Sequence, residues 1–111
     1  MSLSTHVLDT AAGRPATGVP VVCERATDDG WQRLATRVTD ADGRIGDLVA
    51  AGELGAGIHR LTFDTGEWAA SNGTTTFWPE VIVTFVVTAV GEHHHVPLLL
   101  SPYGYSTYRG S

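Results

Sequence analysis

The chain contains no lysine. All seven of its cationic side chains are arginine, set against twelve acids for a formal net charge of −5. A nucleic-acid partner needs a basic face, and this balance argues against one. Cysteine is nearly absent too: with Cys23 alone, no internal disulfide can form. Cys23 lies in the apolar run VPVVCE and reads as a buried small hydrophobe. As a nucleophile it would need a base beside it. Long hydrophobic runs are missing, since VIVTFVV from Val81 falls far short of a membrane span. The opening MSLSTHVLD lacks the basic and apolar regions of a secretory signal, so a soluble protein without a membrane, in the cytoplasm, is the expectation. There is no internal repeat, linker, G-x-S-x-G elbow, phosphate-cradling glycine loop, CxxC or HExxH.

What is present reads as strands and turns. The length suits one domain over 1–111 with one hydrophobic core. A large ligand cleft is hard to build within so small a subunit, and a site between subunits avoids that limit. Strand candidates are 4–10, 19–27, 31–39, 58–64, 81–89 and 93–101, with a short one near 106–110. In the second, Val19, Val21, Cys23 and Arg25 share one face, and Val22 and Glu24 the other. DDG at 28–30 signals a hairpin. DADGR at 40–44 signals a second tight turn, with Asp40 and Asp42 bonding the backbone and Gly43 available for positive φ. Residues 45–57 read as a loop with one short strand, and 65–73 as the only helix, capped by Asp64 or Thr65 and ended by Gly73. Seven or eight strands with one short helix predict an all-β sandwich. The strand at 81–89 is apolar on both faces, whereas an outer face should be wet, so a partner subunit is expected there.

Three of the five histidines are consecutive. On a strand His93 and His95 point one way and His94 the other. At ~3.3 Å per residue the outer two lie about 6–7 Å apart. They could face water, bind zinc with His6 as a third ligand, or do metal-free acid–base work. Arg44, after the tight turn, either pairs with Asp42 or Asp47 or anchors an anion or carbonyl with its rigid donor fork. Tyr103, Tyr105 and Tyr108 read as cover for the end of the sandwich, and Trp31, Trp68 and Trp78 as core or subunit-contact residues.

Three segments taken together, LSTHVLD, DGRI and HHHVPLLLSPYGYSTYRGS, resemble the 5-hydroxyisourate hydrolases, the transthyretin-like enzymes of urate breakdown. The likeness covers essentially the whole chain, including FWPE at 77–80. Its most specific mark is the terminal Y-R-G-S, which separates these enzymes from transthyretin, the hormone carrier on the same fold.

That resemblance implies a transthyretin-like (prealbumin-like) sandwich, assembled as a homotetramer with active sites in a channel between dimers. It implies 5-hydroxyisourate as substrate and neither metal nor cofactor. Residue by residue, His6 matches the N-terminal motif histidine and Arg44 the arginine of the D-G-R turn. The family reads H-Y-H-V-P where this chain reads H-H-H-V-P, so His93 and His95 match its histidines and His94 replaces a tyrosine. Tyr108, Arg109, Gly110 and Ser111 match the terminal tetrapeptide. The implied roles give water activation to His6 and His95 and substrate anchoring to Arg44. Tyr108 and Ser111 would line the pocket, and His93 would fix a neighbour's tautomer. Two rivals remain at this level: a carrier using the central channel for a hydrophobic ligand, and a zinc hydrolase using His6, His93 and His95.

Overall fold

The computed structural model describes residues 3–50 and 52–110, which form two sheets and one helix. The strands are β1 (Leu3–Asp9), β2 (Arg14–Pro15), β3 (Pro20–Thr27), β4 (Gly30–Val38), β5 (Arg44–Val49) and β6 (Gly57–Phe63). After α1 (Thr65–Ser71) come β7 (Val81–Val87), β8 (His94–Leu100) and β9 (Tyr105–Thr107). The first sheet runs β2-β1-β8-β9, with β5 also paired to β1. The second runs β4-β3-β6-β7. The expected all-β sandwich with one short helix is therefore what forms.

Side-chain alternation decides what lies between the sheets. In β3, Val21 and Cys23 are fully buried while Val22 and Glu24 are half-buried on the other face. Leu61 and Phe63 of β6 and Leu98 and Leu100 of β8 join them in the core. Burying side chains of this size contributes roughly 1.5–3 kcal/mol apiece. Burial also pushes the Cys23 thiol up to about 12, leaving it an inert hydrophobe at neutral pH. Thr27 pairs with Gly30 across the Asp28–Asp29 turn, as the DDG signal predicts.

Several details differ from expectation, each for a physical reason. The segment after Arg44 is a full strand rather than mostly loop, because β5 finds a ladder along β1, with Thr5 opposite Ile45 and His6 opposite Arg44. The two-residue β2 closes on the end of β1, which no local propensity announces. In the 40–44 turn, among the described residues, Asp40 rather than Asp42 bonds the backbone. Its Oδ1 accepts from the amides of Asp42 and Arg44 at 2.9 and 3.0 Å. Helix α1 is capped by Asp64, which accepts from the Glu67 amide. It ends at Ser71, before Gly73 at φ +67°. In β6 the inward places are taken by His59, Leu61 and Phe63. His59 is fully buried, with Nε2 2.7 Å from the Leu54 carbonyl and Nδ1 3.1 Å from that of Gly57, and its ring stacks on Phe85. It pins the loop before β6 and takes no part in the histidine cluster below.

Among the described residues, strand β7 pairs only with β6 and so lies at a sheet edge. Val81 and Val87 face the core, while Ile82 and Val86 are 44% and 56% exposed. The doubly apolar reading is therefore accurate for the strand itself. Trp68 is a core residue, and Trp78 is half-buried and meets Tyr105 edge to face.

Candidate active site

The parallel pairing of β1 with β8 gathers the chemistry. It sets Ser4 opposite His95 and His6 opposite Pro97, while β5 brings Arg44 opposite His6. On β1 the core side takes Leu3, Thr5 and Val7, so Ser4 and His6 face outward. On β8 the core side takes His94, Val96, Leu98 and Leu100, so His95 faces outward. His6, Arg44, His93, His95 and Ser4 thus occupy one outward face of the first sheet. The expected split of the triple histidine is observed: His94 is buried on the opposite side, with Nδ1 3.0 Å from the Glu92 carbonyl.

Ser4 is the organiser that sequence reading did not single out. Its hydroxyl lies 2.7 Å from Nδ1 of His95 and 2.8 Å from Nε2 of His93. With Nδ1 at Ser4, Nε2 is the other ring nitrogen of His95, and no hydrogen bond among the described residues occupies it. The His95 pKa is lowered from the ordinary histidine value of 6.5, first by burial, then by the neighbouring His6 and His93 and by the Arg44 guanidinium. Near neutral pH His95 is consequently an uncharged imidazole with a lone pair to offer.

Arg44 is exposed, and among the described residues it forms no ion pair with Asp42 or Asp47. Its place is set by the turn before it. Gly43 sits at φ +73°, where a Cβ would stand 2.5 Å from the Val7 carbonyl. The amide of Val7 donates to the Gly43 carbonyl at 2.7 Å, tying the turn to β1 one residue past His6. The guanidinium is therefore free to bind an oxygen of a bound molecule.

The tail folds back against the histidines. The Gly110 amide donates to the His95 carbonyl at 2.9 Å. A Cβ on Gly110 would collide with the imidazole and stand 3.1 Å from its Cγ, so only glycine lets the backbone lie flat on that ring. Tyr108 and Arg109 border a cleft of about 230 Å³ with His95, Val83, Phe85 and Val86. Arg109 pairs with Glu92 at 3.0 Å in solvent and supports the tail rather than the pocket floor. Ser111 lies outside the described residues. Among the described residues, no three histidine, cysteine or carboxylate groups are arranged to hold a metal ion. A larger cavity, about 430 Å³, opens at the other end of the sandwich near Asp9, Trp68 and Leu100, and Asp9 is its only titratable side chain among the described residues.

Two antiparallel-rich sheets, a short helix after β6 and an outward histidine–arginine face define a transthyretin-type sandwich. The chain belongs to the HIUase/Transthyretin family, whose model matches residues 3–110. It is 50% identical over 109 residues to the 5-hydroxyisourate hydrolase of Salmonella dublin, covering 98% of this chain and 80% of that one. Among solved structures, it is similar to Klebsiella pneumoniae 5-hydroxyisourate hydrolase, with a TM-score of 0.86, 43% identity, and 99% and 93% of the two chains covered. It is also similar to sea bream transthyretin in complex with thyroxine, with a TM-score of 0.93, 35% identity, and 99% and 95% coverage. Backbone shape thus fits the carrier at least as well as the hydrolase. The distinction has to rest on side chains.

Proposed function

We propose that the chain hydrolyses a ring amide of 5-hydroxyisourate, giving 2-oxo-4-hydroxy-4-carboxy-5-ureidoimidazoline, a step of urate degradation, without a metal ion. The observation that carries this reading is the convergence of His6, Arg44, His93 and His95 on one outward face, with His95 held neutral beside a cationic guanidinium. A carrier of a hydrophobic ligand needs neither an available base nor an anion anchor.

Amide hydrolysis requires an activated water, stabilisation of the developing oxyanion and a proton for the leaving nitrogen. His95 accepts a proton from water at Nε2, and His6 holds that water from the neighbouring strand. Arg44 donates to the substrate oxygen on which negative charge grows, with a fork suited to a planar ring. The proton on Nε2 of His95 then passes to the leaving nitrogen. Tyr108 walls the pocket beside His95, Gly110 keeps the imidazole in place, and Ser111 is assigned to the substrate by its match to the family's terminal tetrapeptide alone.

The face is open in one protomer, too shallow to surround a ring. We place it at a contact between dimers of a homotetramer, a reading supported by the small subunit and by the exposed apolar residues Ile82 and Val86 on edge strand β7. The whole chain then acts as one cytoplasmic transthyretin-like unit. The experiment is an ultraviolet trace of 5-hydroxyisourate freshly made from urate. Decay accelerated by catalytic amounts of protein is expected, and decay at the buffer rate would remove the hydrolase reading in favour of a carrier.

A further inference from the structure

We propose that the cavity of about 430 Å³ at the far end of the sandwich binds a small organic cation, an alkyl guanidinium or alkyl ammonium, whose charged head is held by Asp9 and whose chain lies against Trp68 and Leu100. This site is separate from the histidine face and does not depend on the hydrolase reading.

Three segments meet at the cavity. The turn after β1 brings Asp9, Ala11 and Ala12, the loop after α1 brings 73–76, and the end of β8 brings 100–102. Asp9 and Leu100 are the last pair of the parallel ladder that carries Ser4 and His95 at its other end. One wall is therefore fixed by a sheet. Thr10 reinforces it, donating to the Leu100 carbonyl from its amide at 2.9 Å and from its hydroxyl at 3.0 Å. The loop after α1 is held at both ends. The Thr74 amide donates to the Ala69 carbonyl at 2.9 Å, and the Phe77 amide to that of Pro102 at 2.8 Å. The volume lies in the ordinary range of small-molecule sites, about 300–1,000 Å³.

The donors around the cavity are largely engaged by the protein itself. A hydroxyl has one proton and two lone pairs. Ser101 donates to the Gly104 carbonyl at 2.9 Å, Thr76 to that of Trp78 at 3.3 Å and Thr74 to that of Ala69 at 3.4 Å. The Ala12 amide donates to Oδ1 of Asp9 at 3.1 Å. The amides of Gly73 and Ser101 donate to the carbonyls of Ala70 and Gly104. Pro102 has no N–H to offer. What these groups can still give a ligand is lone pairs. Thr75, and the amides of Ala11 and Thr76, bond no protein group among the described residues and remain for a ligand oxygen or water.

Charge then decides between ligands. Asp9 is the only titratable side chain at the wall among the described residues. One of its oxygens takes the Ala12 amide, and no hydrogen bond among the described residues occupies the other. Arg14 stands opposite Asp9 in the β1–β2 ladder, yet the two form no ion pair among the described residues. The carboxylate is thus left for a guest. An anion would meet it with like charge. A cation with N–H groups forms a charge-assisted hydrogen bond, roughly twice as strong as a neutral one. Trp68 adds to that preference, because an indole attracts cations more than other aromatic rings do. With Leu100 and Pro102 it also gives a short alkyl chain an apolar wall. The net charge of −5 draws cations toward the protein as a whole.

The test titrates the intact, nitrogen-labelled protein and follows its amide chemical shifts. The probes are n-butylguanidinium and n-butylammonium, with n-butylurea as a neutral counterpart and n-butyrate as an anion. Saturable shifts centred on Ala12, Thr75 and Ser101 are expected with at least one of the two cations. The urea should bind about tenfold more weakly, and butyrate should not move these amides. Asp9→Asn keeps an acceptor for the Ala12 amide but removes the charge. It should weaken the cation about tenfold and leave the urea as it was. The comparison of cation with urea on the wild type needs no variant, so it decides the matter even where Asp9→Asn fails to fold. No saturable shift with either cation would overturn the proposal. So would equal affinity for cation and urea, full affinity in Asp9→Asn, or shifts that map away from the cavity. No turnover is read, so a failure of the hydrolase reading leaves this result standing, and the reverse holds as well.

Discussion

Both sheets turn a face outward, and the two faces treat their charges in opposite ways. On the second sheet, Glu24 and Arg60 sit opposite each other on β3 and β6 and pair at 2.8 Å, half-buried. The Arg60 guanidinium also lies 4.0 Å from the centre of the Trp31 ring. Those two charges satisfy each other. On the first sheet, Arg44 stands beside His6 and His95 and forms no ion pair among the described residues. A satisfied face is a structural surface, and an unsatisfied one is where a ligand completes the set.

The contrast can be broken or sharpened by substitution. The largest effect is expected from His95→Ala, which removes the base. Turnover of 5-hydroxyisourate should drop by roughly 10²–10⁴ while the circular dichroism melt is retained. Near-normal rates would move the chemistry away from this face. An intermediate effect is expected from Gly110→Ala, whose methyl must push the His95 ring aside. A loss of about tenfold in kcat, with little change in melting, would show that the tail sets the ring, because small misplacements of a catalytic group are costly. The smallest effect belongs to the other sheet. Arg60→Ala should leave kcat and KM as they are and cost about 1 kcal/mol of stability in denaturant unfolding, a modest value for a pair still partly in solvent. A change in turnover there would mean that the two faces are not separate in function.

Much of this division was legible in the sequence, and the rest was hidden for a definite reason. Hairpins and alternation are local, so β3, β4, β6 and the DDG turn could be read directly. The outward pairing of His93 with His95 followed from strand periodicity, and the glycine of the 40–44 turn from its need for positive φ. Ser4 gave no signal, because a serine in a strand is unremarkable until the parallel partner 91 positions away is known. The fit of Gly110 against the imidazole was hidden in the same way, and so was the ladder that turns 44–49 from loop into strand. Shared chemistry with the hydrolases was readable from motifs, whereas the three-atom bridge through Ser4 needed coordinates.

The parallel ladder between β1 and β8 also has an entropic side. It closes a loop that contains the entire second sheet. The cost of closing a flexible loop grows with its length, but only logarithmically. In the folded chain the intervening segment is not flexible, because β3, β4, β6 and β7 fold it back on itself through antiparallel pairs. The second sheet thereby shortens the path between Ser4 and His95 and lowers the entropy lost when they meet. Its contribution to the reaction is made before any substrate arrives, as the strut that keeps two distant pieces of chain in register.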